Sequence, residues 1–195
     1  MLNFELARAL RRVKPQRIAD TIRQRPPADL PFVMTPISAG TELLINSCVY
    51  IDILQGHTPA SVDDLLSARI INHSTICLAE LTHLFDRLDP KHPATKNVLR
   101  EIRHTIEDIP GHRLSSPSHT ASGEAGMLAG LVARLSDVDH RVNQSLLDDA
   151  GLYLQVMENG WTVLTSNIRD FDYFDQLLPA DRVLFYEKTA TTPKR

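Results

Sequence analysis

Polar side chains that carry oxygen atoms follow several apolar stretches of this sequence, and their types could bind a divalent cation. Asn46 follows Leu-Leu-Ile, Glu80 follows Thr-Ile-Cys-Leu-Ala, and Asn167 follows Val-Leu-Thr-Ser. The adjacent Asp148 and Asp149 precede another apolar stretch. Carboxylate and amide oxygens are the ligands that Mg²⁺ and Mn²⁺ prefer, whereas His and Cys suit zinc. Because the sequence has no cluster of His and Cys, these residues predict a site for Mg²⁺ or Mn²⁺.

Predicted strands and helices must bring these side chains together for such a site to form. Residues 41–46 and 161–167 are predicted as short buried strands, and residues 182–186 as a last strand. The residues from position 74 are predicted to begin as a strand, and a helix is expected to start near Ala79. Strands that alternate with helices predict an α/β fold with a central, mainly parallel sheet, whose carboxyl edge would collect the polar side chains. Helical periodicity covers residues 48–56, 61–70, 94–109, 122–135, 146–160 and 171–178.

The overall composition is typical of one soluble globular domain. The chain has 195 residues, of which 43% are hydrophobic and 23% are charged. No apolar run approaches the roughly 20 residues that span a bilayer, and the N-terminus lacks the continuous apolar segment of a secretory signal. Cys48 and Cys77 lie in apolar segments and form no CxxC pair, so we expect reduced, buried thiols. These features predict a cytoplasmic protein.

Charge is distributed unevenly along the chain. Residues 1–40 contain seven Lys or Arg and three Asp or Glu, whereas the remainder contains fourteen and twenty-one. The first segment has helical periodicity with a break near Pro15, and a proline-rich stretch separates it from the remainder. We therefore predict a basic N-terminal helical arm and linker at residues 1–40 and a main domain at residues 41–195. An acidic domain needs a bound cation or local basic residues to bind a polyanion.

Three short motifs follow one another along the main domain. INSCVYIDIL contains Asn46, LAELTHLF contains Glu80, and DDAGLYLQVMENGWTVLTSNIRDFDYF contains Asp149 and Asn167. Over residues 41–186 their order resembles the PIN domain, the metal-dependent ribonuclease fold of VapC-type toxins in bacterial toxin–antitoxin pairs. In this resemblance Asn46 stands where the family has its leading Asp. Glu80 and Asp149 match the second and third acids, and Asn167 falls on the fourth acidic position.

The resemblance implies a PIN-like three-layer α/β/α domain that uses Mg²⁺ or Mn²⁺ to cleave RNA phosphodiester bonds. Asn46, Glu80 and Asp149 are then the catalytic residues, and they bind the ion together with Asn167. The resemblance also implies an RNA substrate, a small antitoxin partner and a homodimer. Four further side chains are expected to orient these ligands without contacting the ion: Ser47, Asp52, Thr165 and Asp170.

Two of these assignments have alternatives that the sequence leaves open. Asp148 could replace Asp149, although counting back from Gly160 favours Asp149 and leaves Asp148 as a helix cap. Asp52 could replace Asn46 if the first strand ran six residues further, through residues with high β propensity. We prefer Asn46 as the ligand, with Asp52 as a structural acid inside a helix.

The function likewise has two interpretations. Asn46 and Asn167 can offer oxygens but no negative charge, so Glu80 and Asp149 are the remaining charged ligands and metal affinity should fall. The protein is therefore either an endoribonuclease weakened by Asn46 or a catalytically impaired PIN-fold module that binds RNA or a protein partner. The basic arm could pack on its own domain, extend a dimer interface or contact RNA, and its amphipathic pattern favours packing. A nucleophile elbow and a dinucleotide-binding glycine motif are both missing from the sequence.

Overall fold

The sheet is the centre of the molecule. The computed structural model describes residues 4–18, 20–34, 40–136 and 143–189. Its strands are β1 (Leu43–Ile45), β2 (Ile71–Ser74), β3 (Leu114–Ser115), β4 (Thr162–Thr165) and β5 (Val183–Phe185). Within the described residues they form one five-stranded sheet of order β3-β2-β1-β4-β5, in which all neighbouring strands are parallel. The predicted α/β fold with a parallel sheet is confirmed.

Eight helices of the described residues flank this sheet. The central strands β1 and β4 are buried along their whole length, as is usual for parallel sheets covered on both faces. No helix in the ranges given above is long and apolar enough to cross a membrane. The helices are α1 (Leu6–Val13), α2 (Ser47–Gln55), α3 (Ala60–Ala68), α4 (Thr75–Arg87), α5 (Thr95–Glu107), α6 (His119–Leu135), α7 (Gln144–Asn159) and α8 (Ile168–Leu177).

The chain adds strands first on one side of β1 and then on the other. From β1 the chain continues to β2 and β3 on one side, and it then crosses to β4 and β5 on the other. The neighbours β1 and β4 end together, with Ile45 paired to Leu164. In open α/β sheets, ligands bind in the crevice outside the carboxyl ends of such strands. Asn46 and residues 165–167 lie at this crevice.

Helix α4 begins earlier than the sequence predicts. Ser74 is its N-cap, and the Ser74 side chain accepts a hydrogen bond of 3.2 Å from the N–H of Ile76. The prediction that the helix begins near Ala79 was wrong, because a capping serine starts the helix although two β-branched residues follow. Glu80 therefore lies in the second turn of α4 rather than at its start.

Helix α7 also begins before its two adjacent acids. Asn143 is the N-cap, and its side chain accepts a hydrogen bond of 2.9 Å from the N–H of Leu146. The interpretation of Asp148 as a helix cap was wrong, since Asp148 lies in the second turn and accepts a hydrogen bond from Gln144. Asp149 is the inward-facing acid of the two, with only 6% of its surface exposed.

The N-terminal segment packs along the main domain. Val13 of α1 is buried, and Arg12 forms an ion pair of 2.6 Å with the buried Glu124 of α6. Further along, the N–H of Val33 donates to the carbonyl oxygen of Phe185 in β5 at 2.8 Å. Of the three roles considered for the arm, the described residues show packing on its own domain. The division of the chain at residue 40 stays a prediction.

Candidate active site

Asn46 lies where β1 ends and α2 begins. Its side chain is buried, and its Oδ1 accepts hydrogen bonds from the N–H and the Oγ of Ser47 at 2.6 and 3.1 Å. Its Nδ2 donates to Oδ1 of Asp149 at 3.1 Å and to Oγ1 of Thr165 at 3.2 Å. Asn46 therefore caps α2 and holds Asp149 at the same time.

Asn167 has the same two roles at the start of α8. Its Nδ2 donates to Oδ2 of Asp149 at 2.9 Å and to Oδ2 of Asp170 at 3.0 Å. Its Oδ1 accepts a hydrogen bond from the N–H of Asp170 at 3.3 Å, which makes Asn167 the N-cap of α8. Its own N–H donates to Oγ1 of Thr165 at 3.0 Å. Thr165 and Asp170 thus orient Asn167, and Thr165 also contacts Asn46.

The orientation of the two amide groups is fixed by the helices that they cap. Each Oδ1 accepts a hydrogen bond from a backbone N–H, which can only donate, so each Nδ2 must point towards Asp149. Ser47 offers its N–H and its Oγ–H to Asn46 Oδ1, but its single hydroxyl proton can serve either Asn46 or the Glu80 carboxylate, to which the Ser47 side chain also hydrogen-bonds. The role of Asn46 and Asn167 as ligands stays a prediction.

Asp149 is the centre of this cluster. Burial and the negative charges of Asp170 and Glu80 raise the pKa of Asp149 to about 8, while the hydrogen bonds from Asn46 and Asn167 act in the opposite direction. No Lys or Arg in the part of the chain that the structure describes forms an ion pair with Asp149. Among the described residues, this carboxylate is therefore held by two neutral groups and by no Lys or Arg.

Glu80 approaches the cluster from α4. It hydrogen-bonds to the Ser47 side chain, and its Oε2 is buried without a hydrogen-bond partner among the described residues. Burial, followed by the charge of Asp148, raises the pKa of Glu80, and the bond to Ser47 acts against this shift. A buried oxygen without a partner is costly, and a bound cation would satisfy it.

Asp52 lies outside this cluster but supports it. It is fully buried, and its Oδ2 accepts hydrogen bonds from Ser166 Oγ at 3.0 Å and from Tyr186 OH at 2.7 Å. Lys188 Nζ lies 2.8 Å from its Oδ1. Because Ser166 precedes Asn167, Asp52 fixes the loop that carries Asn167. Sequence reasoning missed Tyr186 and Lys188, because no local pattern marks contacts across more than 130 residues.

Cys48 is a further contact that sequence reasoning missed. Its Sγ lies 3.4 Å from Oγ1 of Thr165 and accepts a hydrogen bond of 3.4 Å from the N–H of Ser166. Cys77 is buried, and both cysteines are free thiols. Cys48 follows Asn46 by two residues in the first turn of α2, so position alone could have suggested its contact with the end of β4.

A groove of about 780 Å³ opens beside Glu80 between α2, α4 and the start of α7, and we call it the α4 groove. Ser47 lies at its α2 side, and Asp148 lies at its α7 side. His83 and Arg87 follow Glu80 along α4 and also line the groove, and both are exposed. The groove therefore gives a ligand access to Glu80 and Ser47 on the side of α4.

The donors of this site fit a hard divalent cation, but they carry little charge. Within the described ranges, no three or more His, Cys, Asp or Glu residues lie close enough together to hold a metal ion. Asn46 and Asn167 occupy two of the four predicted positions, which leaves the carboxylates of Glu80 and Asp149. These two residues could hold Mg²⁺ or Mn²⁺, and we expect a lower affinity than at a site of four acids.

Comparison with known proteins identifies the fold. No family model and no curated protein matches the sequence. The structure is similar to a chain in the crystal structure of VapBC2 from Rickettsia felis bound to a DNA fragment from their promoter. That similarity has a TM-score of 0.53 and 13% identity, and it covers 74% of this chain and 98% of that chain.

A second solved structure is similar to this chain in fold. A chain in the crystal structure of FitAcB from Neisseria gonorrhoeae gives a TM-score of 0.51 and 20% identity, covering 74% of this chain and 96% of that chain. Identities this low define the fold alone. The architecture is PIN-like, as the motifs predicted.

Proposed function

We propose that this protein is a metal-dependent endoribonuclease of the VapC toxin type. One observation carries the proposal: Asn46 and Asn167 both hydrogen-bond to Asp149 at the carboxyl ends of β1 and β4, and Ser47 links Asn46 to Glu80 beside an open groove. The PIN-like fold supports this proposal, and so does the order of the sequence motifs.

The residues of the site have distinct roles in the proposed reaction. When bound, Mg²⁺ or Mn²⁺ would polarise the phosphodiester and supply a water of lowered pKa. Glu80 and Asp149 would hold the ion. Asn46 and Asn167 keep the Asp149 carboxylate in place through both of its oxygens and favour its charged form. Ser47 orients Glu80 by a hydrogen bond.

A second function is favoured by one feature of the same cluster. Both oxygens of Asp149 already accept hydrogen bonds from amide groups, so the acid is satisfied without an ion. An arrangement of this kind suits a PIN-fold module that binds RNA or a protein partner and has little or no catalytic activity. The two functions therefore differ in how tightly the site must bind a divalent metal ion.

We also infer the partners and the location from this function. A small antitoxin is the proposed protein partner, and it would cover the acidic site. The VapBC2 assembly with a similar chain supports this view. RNA as the substrate, a homodimer and a cytoplasmic location belong to the same proposal.

RNA cleavage by the purified protein tests the two functions. Structured RNA is incubated with Mn²⁺ or with EDTA, and we expect cleavage with Mn²⁺ alone. Glu80→Ala should abolish it, since this change removes one of two charged ligands. Glu101→Ala is the matched control, because it removes an exposed carboxylate on α5 and should leave cleavage unchanged.

The outcomes separate the two functions. Cleavage that persists in Glu80→Ala at the level of Glu101→Ala would contradict the proposed active site. RNA binding without cleavage, both in the natural sequence and in Asn46→Asp, would favour the binding module.

A further inference from the structure

The α4 groove contains one side chain whose charge is opposite to that of RNA. Among the described residues that line it, Arg87 is the only Lys or Arg. Arg87 is exposed, and it forms no ion pair within the part of the chain that the structure describes. The acids at the same groove are Glu80 and Asp148. A phosphate in this groove would therefore meet one permanent positive charge.

We propose that Arg87 binds a phosphate that flanks the phosphodiester at Glu80 and so fixes how the RNA strand lies in the groove. This inference rests on the proposed ribonuclease function and names how that site holds its substrate. The two residues are seven positions apart on α4, so they share one face and lie about 10 Å apart along the helix axis.

The charges around the groove explain why such a contact is needed. Glu80, Asp148 and the nearby Asp149 repel a polyanion, and an acidic main domain provides no diffuse attraction. An arginine can offer two N–H groups to one phosphate, which fixes its position as well as attracting it. Arg87 also lies in the last turn of α4, where a cation stabilises the helix end, so the test must separate RNA binding from stability.

The test measures binding of a short labelled single-stranded RNA in metal-free buffer at several salt concentrations. We expect Arg87→Ala to bind about tenfold more weakly than the natural sequence. The slope of log affinity against log salt should decrease by about 0.7, the value for one lost phosphate contact on a single strand. Arg103→Ala is the matched control, since Arg103 is an exposed arginine on the neighbouring α5 that does not line the groove.

One further variant and a melting measurement exclude a purely structural effect. Arg87→Lys keeps the positive charge and should recover most of the salt slope, whereas Arg87→Ala should melt close to the natural sequence. Single neutral methylphosphonates placed along the RNA then locate the contact. The position that weakens binding to the natural sequence should have no effect on Arg87→Ala.

Two results would contradict the proposed role of Arg87 in RNA binding. Equal losses in Arg87→Ala and Arg103→Ala would show diffuse attraction and overturn it, and so would a methylphosphonate profile unchanged by Arg87→Ala. If either result is obtained and the unmodified protein still cleaves RNA with Mn²⁺, the proposed function stands without Arg87. If it neither binds nor cleaves RNA, the proposed function fails and this inference fails with it.

Discussion

The buried acids of the neighbouring helices α7 and α8 have different kinds of partner. Asp172 and Asp175 of α8 share one cation, since Arg25 places its Nε 2.5 Å from Asp172 and its Nη2 2.8 Å from Asp175. Asp149 of α7 instead accepts hydrogen bonds from two asparagine amides. The first arrangement ties the N-terminal segment to α8, whereas the second provides Asp149 with no positive partner among the residues that the structure describes.

The difference separates buried acids whose charge is balanced by a cation from one that is held by neutral amides. A buried carboxylate without a cation costs free energy, and the high pKa of Asp149 expresses that cost. Within the described ranges, Asp172, Asp175 and Asp52 each have a cation, whereas Asp149 has none.

Arg25→Ala should cause the largest loss of stability. It leaves Asp172 fully buried without its cation, and breaking a buried pair in this way costs about 3 kcal/mol. Urea denaturation measures the free energy of unfolding. Arg23→Ala, an exposed arginine two residues earlier, is the control and should change it by less than about 0.5 kcal/mol. Similar losses in both variants would contradict the structural role of the Arg25 pair.

Asn46→Asp should destabilise the metal-free protein and strengthen metal binding. The change replaces an N–H donor by a carboxylate next to Asp149, so we expect a loss of about 2 kcal/mol in the free energy of unfolding in EDTA. A third carboxylate should raise the affinity for Mn²⁺ at least tenfold, because a unit charge near a divalent ion contributes several kcal/mol. Melting curves and titration calorimetry check both effects. Unchanged Mn²⁺ binding would contradict the assignment of Asn46 to the metal site.

Asp149→Asn should alter how stability depends on pH. The pKa of Asp149 is about 8 in the folded protein and close to 3.8 in the unfolded chain, so the folded state binds the extra proton between these values. Stability of the metal-free protein should therefore fall as pH rises from about 4 to about 8, with a contribution of up to about 1.4 kcal/mol per pH unit. Denaturation in EDTA across this range should show a shallower fall for Asp149→Asn. Asp64→Asn, at an exposed position of α3, is the control.

Lys188→Met should have the smallest effect. The Lys188 side chain is 51% exposed, and Asp52 keeps its hydrogen bonds to Ser166 and Tyr186 when the cation is removed. We expect a loss below about 1 kcal/mol, as is usual for partly exposed ion pairs. Thermal melting measures it. A loss as large as that of Arg25→Ala would contradict this expectation and show that Asp52 depends on its cation as much as Asp172 does.

Much of the fold follows from local patterns. A short apolar run that ends in a polar cap marks β1 with Asn46 and β4 with Asn167, and both residues lie at the predicted edge of the sheet. Counting back from Gly160 correctly selects Asp149 as the inward acid, because a helix fixes which residues share a face. Glu80 was assigned to the right helix but to the wrong turn of it.

Other features could not be predicted because they depend on distant contacts. Arg25 meets Asp172 across 147 residues, and no local spacing indicates this pair. The direction of the Asn46 amide depends on two neighbours at once, Ser47 along the chain and Asp149 on α7. Sequence patterns identify which groups reach the site, whereas only the fold shows which atom each group presents.

The two asparagine caps join the site to the backbone of two helices. The same amide groups that hold Asp149 also accept hydrogen bonds from the N–H groups of Ser47 and Asp170. A ligand that draws Asp149 away would therefore loosen both helix starts. In an NMR spectrum the amide protons of Ser47 and Asp170 would shift together and exchange faster with solvent, so occupation of the site could be followed from the main chain without a label on the ligand.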